Sequence, residues 1–275
     1  ALAAKPNFVV DTANNATLDV TDTAANLLLA SNAPGIANGT IIHLLPGTGP
    51  VTAAQAVALQ GIAGFSYPSA LVVADTASEL LNQSATLSVI SNTVQLTVLL
   101  TGTTNQVSAS DAVTLVGLPN FALSGGAALD VTDTAANLVS ASNLQGIPDG
   151  TTFHLQPRTG PVTAAQAVAL QGIAGFSNPP DLVVSGTALE LLNQSATLAG
   201  IANTVLLIGT TNQVNASEAA TLAGLPHFAL SGGATLGVTD GGASIVSNLD
   251  ALQSLVGSTP DSITISLSDV VPYTA

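Results

Sequence analysis

Three histidines and two pairs of aspartates are the residues whose types and spacing could do chemistry. His43 and His154 stand at one repeat position, in Thr-Ile-Ile-His-Leu-Leu (Thr40 to Leu45) and Thr-Thr-Phe-His-Leu-Gln (Thr151 to Gln156). A row of imidazoles on an open sheet face could bind a metal or switch an interface with pH. The plainer reading is a solvated or hydrogen-bonded histidine. Strand alternation puts Phe153 and Leu155 on the core face, with Thr152, His154 and Gln156 on the other. His227 stands where the sister repeat has Asn120, which reads as a tolerant surface position. Asp19 with Asp22, and Asp130 with Asp133, are recurring carboxylate pairs. Such pairs could hydrolyse glycosides or hold calcium, and these four residues are the calcium candidates. Yet Asp22, Asp75 and Asp133 each precede a threonine at an expected helix start. A carboxylate there satisfies free N–H groups and complements the helix dipole, so capping is the favoured role. No Ser/His/Asp set recurs, no G-x-S-x-G is present and there is no cysteine. The residues therefore predict no enzyme active site, and calcium is the one cofactor to consider.

Composition narrows the classes further. Of 275 residues, 47% are apolar but only 3% aromatic, so the apolar mass is Ala, Val, Leu and Ile. Charged residues are 7%, against roughly 25% in an average soluble domain. Lys5 and Arg158 face sixteen acidic residues, for a net charge of −14. That balance argues against binding nucleic acid or anionic lipid, since little cationic surface is available to neutralise phosphate. No run of about 18 apolar residues exists, so no membrane span is expected. The absence of Met reads as a processed or excerpted chain, and Ala1-Leu2-Ala3 is similar to the end of a signal peptide.

The elements that must position these residues come from an internal repeat. Leu18 to Leu27 recurs as Leu129 to Leu138, Gly49 to Ser66 as Gly160 to Ser177, and Glu79 to Leu87 as Glu190 to Leu198, all at an offset of 111. Gly117 to Ala127 recurs with one difference as Gly224 to Ala234, at an offset of 107. The chain therefore reads as a single repeat domain over 1–275, with a first long repeat at 17–127, a second at 128–234 and a partial third at 235–275. Within them, β-rich runs begin near Thr17, Thr40, Ala70, Thr93, Ala128, Thr151, Asp181, Thr204, Thr235 and Ser262. Their spacing of 23 to 35 residues is that of solenoid repeats. A further strand is expected near Phe8 to Val10.

Helix-start signals follow most of these runs. Thr52 with Gln55, Thr76 with Glu79, Thr163 with Gln166, Thr187 with Glu190, and Asn215 with Glu218 have the capping-box spacing, in which each residue accepts a backbone N–H of the other. Ser108 with Asp111, Thr23 with Asn26 and Thr134 with Asn137 are looser versions. Gly61, Gly64, Gly117, Gly172, Gly175 and Gly224 are read as helix terminators. Strands joined through helices are parallel, and such crossovers are nearly always right-handed. The expected fold is a right-handed α/β solenoid of about ten strand–helix units, with one parallel sheet and short capped helices on one face. The alternative is an all-β parallel solenoid.

Val20 to Leu27 and Val131 to Leu138 (V-T-D-T-A-A-N-L), the T-A-A-Q-A segments, Ser247 to Gln253 and Ser262 to Asp269 resemble tandem repeats of very large proteobacterial extracellular proteins, in which V-S-D-T-A-A-N and D-A-L blocks alternate with I-T-L-T-D strands. The resemblance covers most of the chain from Leu18 onward. It implies a secreted or cell-surface, adhesin-like or matrix-like role, and it carries over no catalytic residue. Repeat proteins of that kind often bear calcium-binding G-G-x-G-x-D nonapeptides, which this sequence lacks.

The surface is the last clue. Scarce charge, with Ile41, Leu45 and Val72 expected on the free strand face, suggests a surface that a partner covers. The expected function is structural: a filament, surface layer or adhesin stalk that self-associates through its ends or its open sheet face. Polysaccharide docking on that face is the alternative.

Overall fold

The computed structural model describes residues 17–32, 41–140, 146–258 and 262–269. Lys5 and the strand expected near Phe8 to Val10 lie outside them. The chain divides into two compact units, 1–131 with 142–152, and 132–141 with 153–275.

In the first unit, β1 (Asp19–Asp22), β2 (Ile41–Leu44) and β3 (Phe65–Ser66) form one sheet. Strands β4 (Ala70–Asp75), β5 (Gln95–Leu100) and β7 (Ala122–Leu123) form another, and β6 (Asn105–Val107) pairs with β8 (Leu129–Asp133). In the second unit, β9 (Thr152–Leu155) bridges Phe176 through Phe153. Strands β10 (Val162–Thr163), β11 (Val183–Gly186), β12 (Thr204–Leu207) and β14 (Ala229–Leu230) form a four-stranded sheet. The last sheet holds β13 (Asn212–Val214), β15 (Leu236–Asp240) and β16 (Ile263–Leu267). All described pairings are parallel. Each of the ten expected strand starts lies within two residues of an observed one.

One expectation is corrected. The strands form five sheets of three or four strands, not one. Two of the divisions fall at a corner. After β5 the chain bends through Thr101 to Thr104, with Gly102 at φ 90°, and after β12 it bends at Gly209, φ 91°. A left-handed backbone that glycine adopts freely turns the chain out of the plane of its first strand. The next strand, β6 or β13, is therefore in a different sheet. These short strands, of two or three residues, carry too little alternation to be read from sequence.

Helices sit between the strands. After threonine N-caps come α1 (Ala24–Leu27), α2 (Ala53–Gln60), α3 (Ala77–Asn82), α6 (Ala135–Leu138), α7 (Ala164–Gln171) and α8 (Ala188–Asn193), and after Ser108 comes α5 (Ala109–Val116). Not anticipated were α4 (Ser84–Ile90) and α9 (Ser195–Ile201), which follow α3 and α8 after a single non-helical residue, Gln83 or Gln194. The chain continues through α10 (Ala216–Ala223), after Asn215, and then α11 (Gly242–Ser247) and α12 (Leu249–Ser258). The four longest capped helices bury an Ala-Ala-Leu stripe at i, i+3 and i+6: Ala53, Ala56 and Leu59, then Ala109, Ala112 and Leu115, Ala164, Ala167 and Leu170, and Ala216, Ala219 and Leu222. Two small residues and one large one bring each helix close against its neighbours while still burying one bulky side chain per helix.

The helix ends separate two roles that the sequence merges. Gly61, Gly117, Gly172 and Gly224 are C-caps with right-handed φ. The left-handed residue lies three positions on, at Gly64, Asn120, Gly175 and His227. His227 is therefore more than a tolerant surface position. It occupies a conformation that excludes most side chains, and its Nδ1 lies 2.8 Å from the Asn203 carbonyl, as Asn120 Nδ2 donates to Leu96 O at 2.8 Å.

Candidate functional site

The predicted caps divide by geometry. Thr52 with Gln55, Thr163 with Gln166, Thr187 with Glu190, and Asn215 with Glu218 each form the reciprocal box. Thr76 with Glu79 does not, and Thr76 makes no side-chain cap bond. The sister repeat shows why. Asp75 precedes Thr76, and its Oδ1 already accepts the Thr76 N–H at 2.9 Å. At the matching position the second repeat has Gly186, so the Thr187 N–H is free for Glu190 Oε2 at 2.8 Å.

A second set of caps runs between successive strand–helix segments. Asp75 Oδ2 accepts from Ala53 N, 22 residues earlier, at 3.1 Å. Asp240 Oδ2 accepts from Ala216 N at 3.1 Å, and Asp269 Oδ1 from Gly242 N at 2.9 Å. Asn105 Oδ1 accepts from Ala77 N, and Asn212 Oδ1 from Ala188 N, each at 2.9 Å. Each acceptor closes the first turn of a helix 22 to 28 residues earlier in the chain. Sequence reasoning identified Asp75 as a cap for its own helix but did not identify Asn105 or Asn212. Their signal was available in the repeated T-T-N-Q-V at 103–107 and 210–214.

The calcium candidates do not converge. Asp19 and Asp22 are three apart on β1, so the two side chains leave opposite faces of the strand, as do those of Asp130 and Asp133 on β8. Asp22 Oδ1 is occupied by Thr23 N at 2.7 Å and Asn26 Nδ2 at 2.8 Å, and Asp133 Oδ1 by Thr134 N and Asn137 Nδ2 at the same distances. Asp130 accepts the Thr152 hydroxyl. Among the described residues, no three His, Cys, Asp or Glu come together as a metal site would require. His43 stands in register between Thr21 and Ser66, half-buried, and His154 is half-buried on β9.

Two of these carboxyls have lowered pKa values. Asp22 is held below its ordinary 3.8 by the Asn26 amide and then the Thr23 N–H. Asp240 is held below 3.8 by the N–H groups of Gly241 and Ala216. A carboxyl with a folded pKa below its unfolded value stabilises the fold fully above the unfolded value, and that contribution is lost as pH falls through the folded one. The melting temperature is therefore expected to hold from neutral pH to about pH 5 and to fall below about pH 4. Asp240→Asn, which retains one acceptor but cannot titrate, should flatten that fall. Melting curves from pH 2 to 7 decide it, and identical acid slopes in both proteins would contradict the assignment.

Strand β16 has an unusual surface. Strand β16 reads Ile-Thr-Ile-Ser-Leu, the alternation of a core strand, yet Ile265 is 39% and Leu267 58% exposed. On β15, Leu236 and Val238 are buried. Strand β16 pairs with β15 alone among the described residues. Beside it, Leu249, Leu252, Gln253, Val256 and Ile265 line a cavity of about 420 Å³. No family model, no curated protein and no solved structure matches this chain.

Proposed function

We infer that this is a structural repeat protein of an extracellular assembly, of the filament, surface-layer or adhesin-stalk kind, and that it associates with copies of itself. In this reading its coils stack as a right-handed α/β solenoid. Parallel pairing of successive strands supports the stack, as do the caps that pass from each coil to the one before. No helix among the described residues is long and apolar enough to cross a membrane.

The observation that carries the self-association is β16. Its alternating Ile263, Ile265 and Leu267 are patterned for burial, and they lie on a strand that is paired along one edge alone among the described residues. An exposed apolar edge strand with no charge on it is a template for pairing with another chain. The surrounding chain has little charge to keep copies apart. Contact between unlike ends is heterologous, and it propagates into a filament unless the rotation closes a ring.

Sedimentation velocity and negative-stain microscopy at micromolar concentration test this. The protein is expected to form particles larger than the 26.9 kDa monomer. The double variant Ile265→Asp, Leu267→Asp should remain monomeric, with an unchanged circular dichroism spectrum. A wild-type protein that stays monomeric across the concentration series would overturn the proposal.

A further inference from the structure

The two long repeats share a near-identical scaffold, which makes their differences informative in one cleft of the second unit. Between β9 and β11 the chain runs Gln-Pro-Arg-Thr-Gly-Pro (Gln156 to Pro161), and with Pro179 and Asp181 to Val183 it lines a half-open cleft of about 570 Å³. That volume is within the range of about 300–1,000 Å³ typical of small-molecule sites. Pro157, Pro161, Leu182 and Val183 form apolar walls, and Arg158 and Asp181 also line the cavity. The matching residues of the first repeat are Gly47 and Ala70. One cation and one anion therefore stand in this cleft at positions where the sister copy has no polar side chain.

Arg158 is unusual in three respects. It is the sole cationic Lys or Arg among the described residues of a chain with net charge −14. Its backbone is left-handed, with φ 66°, where Gly47 has φ 78°. A non-glycine residue held there is strained, and such strain clusters at ligand-binding positions. Finally, neither its guanidinium nor the Asp181 carboxylate has a hydrogen-bond or ion-pair partner among the described residues. In so acidic a chain, a lone arginine paired with no carboxylate is a group available for a ligand.

We propose that this cleft binds a short apolar peptide with free termini. Arg158 takes the terminal carboxylate through its forked N–H donors, Asp181 takes the ammonium, and the proline and aliphatic walls hold the side chains. Charge selects the zwitterion. The field of a protein with net charge −14 repels polyanions such as acidic polysaccharides, whereas a ligand with no net charge approaches freely.

The test is a titration of ¹⁵N-labelled protein with the tripeptide alanyl-valyl-leucine, followed by amide chemical shifts. Parallel titrations use its C-terminal amide and its N-acetylated form. Saturable shifts are expected at residues 155–162 and 179–183. Amidation of the peptide and the variant Arg158→Gly should each weaken binding about tenfold or more, since each removes a charge-assisted hydrogen bond. Acetylation and Asp181→Ala should weaken it by a smaller factor. Arg158→Gly should fold, because the first repeat carries glycine there and the change relieves a left-handed arginine. Absence of saturable shifts, or equal binding by Arg158→Gly or by the amidated peptide, overturns the proposal.

Discussion

Asn212→Leu is expected to lower the unfolding free energy by about 3–5 kcal/mol, although leucine has the same number of side-chain heavy atoms as asparagine and branches at the same carbon. The Asn212 side chain is 6% exposed and makes four hydrogen bonds. Its Oδ1 accepts the Ala188 N–H at the start of α8, and its Nδ2 donates to the carbonyls of Ile208 and Gly209 in its own corner and of Thr235 before β15, at 2.9–3.1 Å. Asn105 makes the matching four bonds, to Ala77, Thr101, Gly102 and Ala128. One amide thus satisfies a helix end, a corner and the next strand. Leucine removes all four bonds: the Ala188 N–H loses its acceptor and the Ile208 and Thr235 carbonyls lose the amide, while the Gly209 carbonyl keeps the Thr235 N–H, and each unmade bond costs about 1–3 kcal/mol before relaxation or water recovers part of it. Asn212→Asp is the sharper variant. It retains the acceptor for Ala188 but places a second oxygen against three carbonyls. It should be destabilising at neutral pH and should regain stability as the carboxyl protonates and becomes a donor. Urea unfolding at pH 7 and pH 4 measures both. A loss below about 1 kcal/mol for Asn212→Leu would mean that water replaces the amide, and the corner would not depend on this residue.

Leu115→Ala should lower stability by about 2–5 kcal/mol. Leu115 is fully buried at the i+6 position of α5, beside the buried small residues Ala109 and Ala112. Because the alanines already bring the helix close to its surroundings, the backbone has little room to collapse into the space left. The cost should therefore be in the upper half of that range, since it grows with the cavity that remains. Leu222, its counterpart on α10, should respond alike. The urea midpoint of each variant against wild type is the measurement. A shift equivalent to less than about 1 kcal/mol would show that the helix relaxes inward.

The positions of the ten strand starts were legible because each begins an apolar, β-branched run after a glycine, proline or polar stretch. Helices α2, α7, α8 and α10 were legible because both halves of the capping box lie within four residues. Helices α4 and α9 were not, because Gln83 and Gln194 carry no start signal and the helix resumes only because α3 or α8 has just ended. The Arg158 cleft was equally hidden. Sequence shows that Arg158 replaces Gly47, but not that loop 156–161 folds against residues 179–183.

The sequence by itself determined the repeat, the parallel strand–helix alternation and the reciprocal caps at Thr52, Thr163, Thr187 and Asn215, because neighbouring residue types suffice for a cap where no acceptor from elsewhere competes. Tertiary structure decided the rest. Asp75 serves Ala53 as well as Thr76, which removes the box expected at Glu79. The corners at Gly102 and Gly209 place β6 and β13 in sheets other than those of β5 and β12. Asn105 bonds to residues 28 positions before it and 23 positions after it. Bonds of that span depend on which strands and helices the chain brings together, and a local pattern of residue types carries no record of that distance.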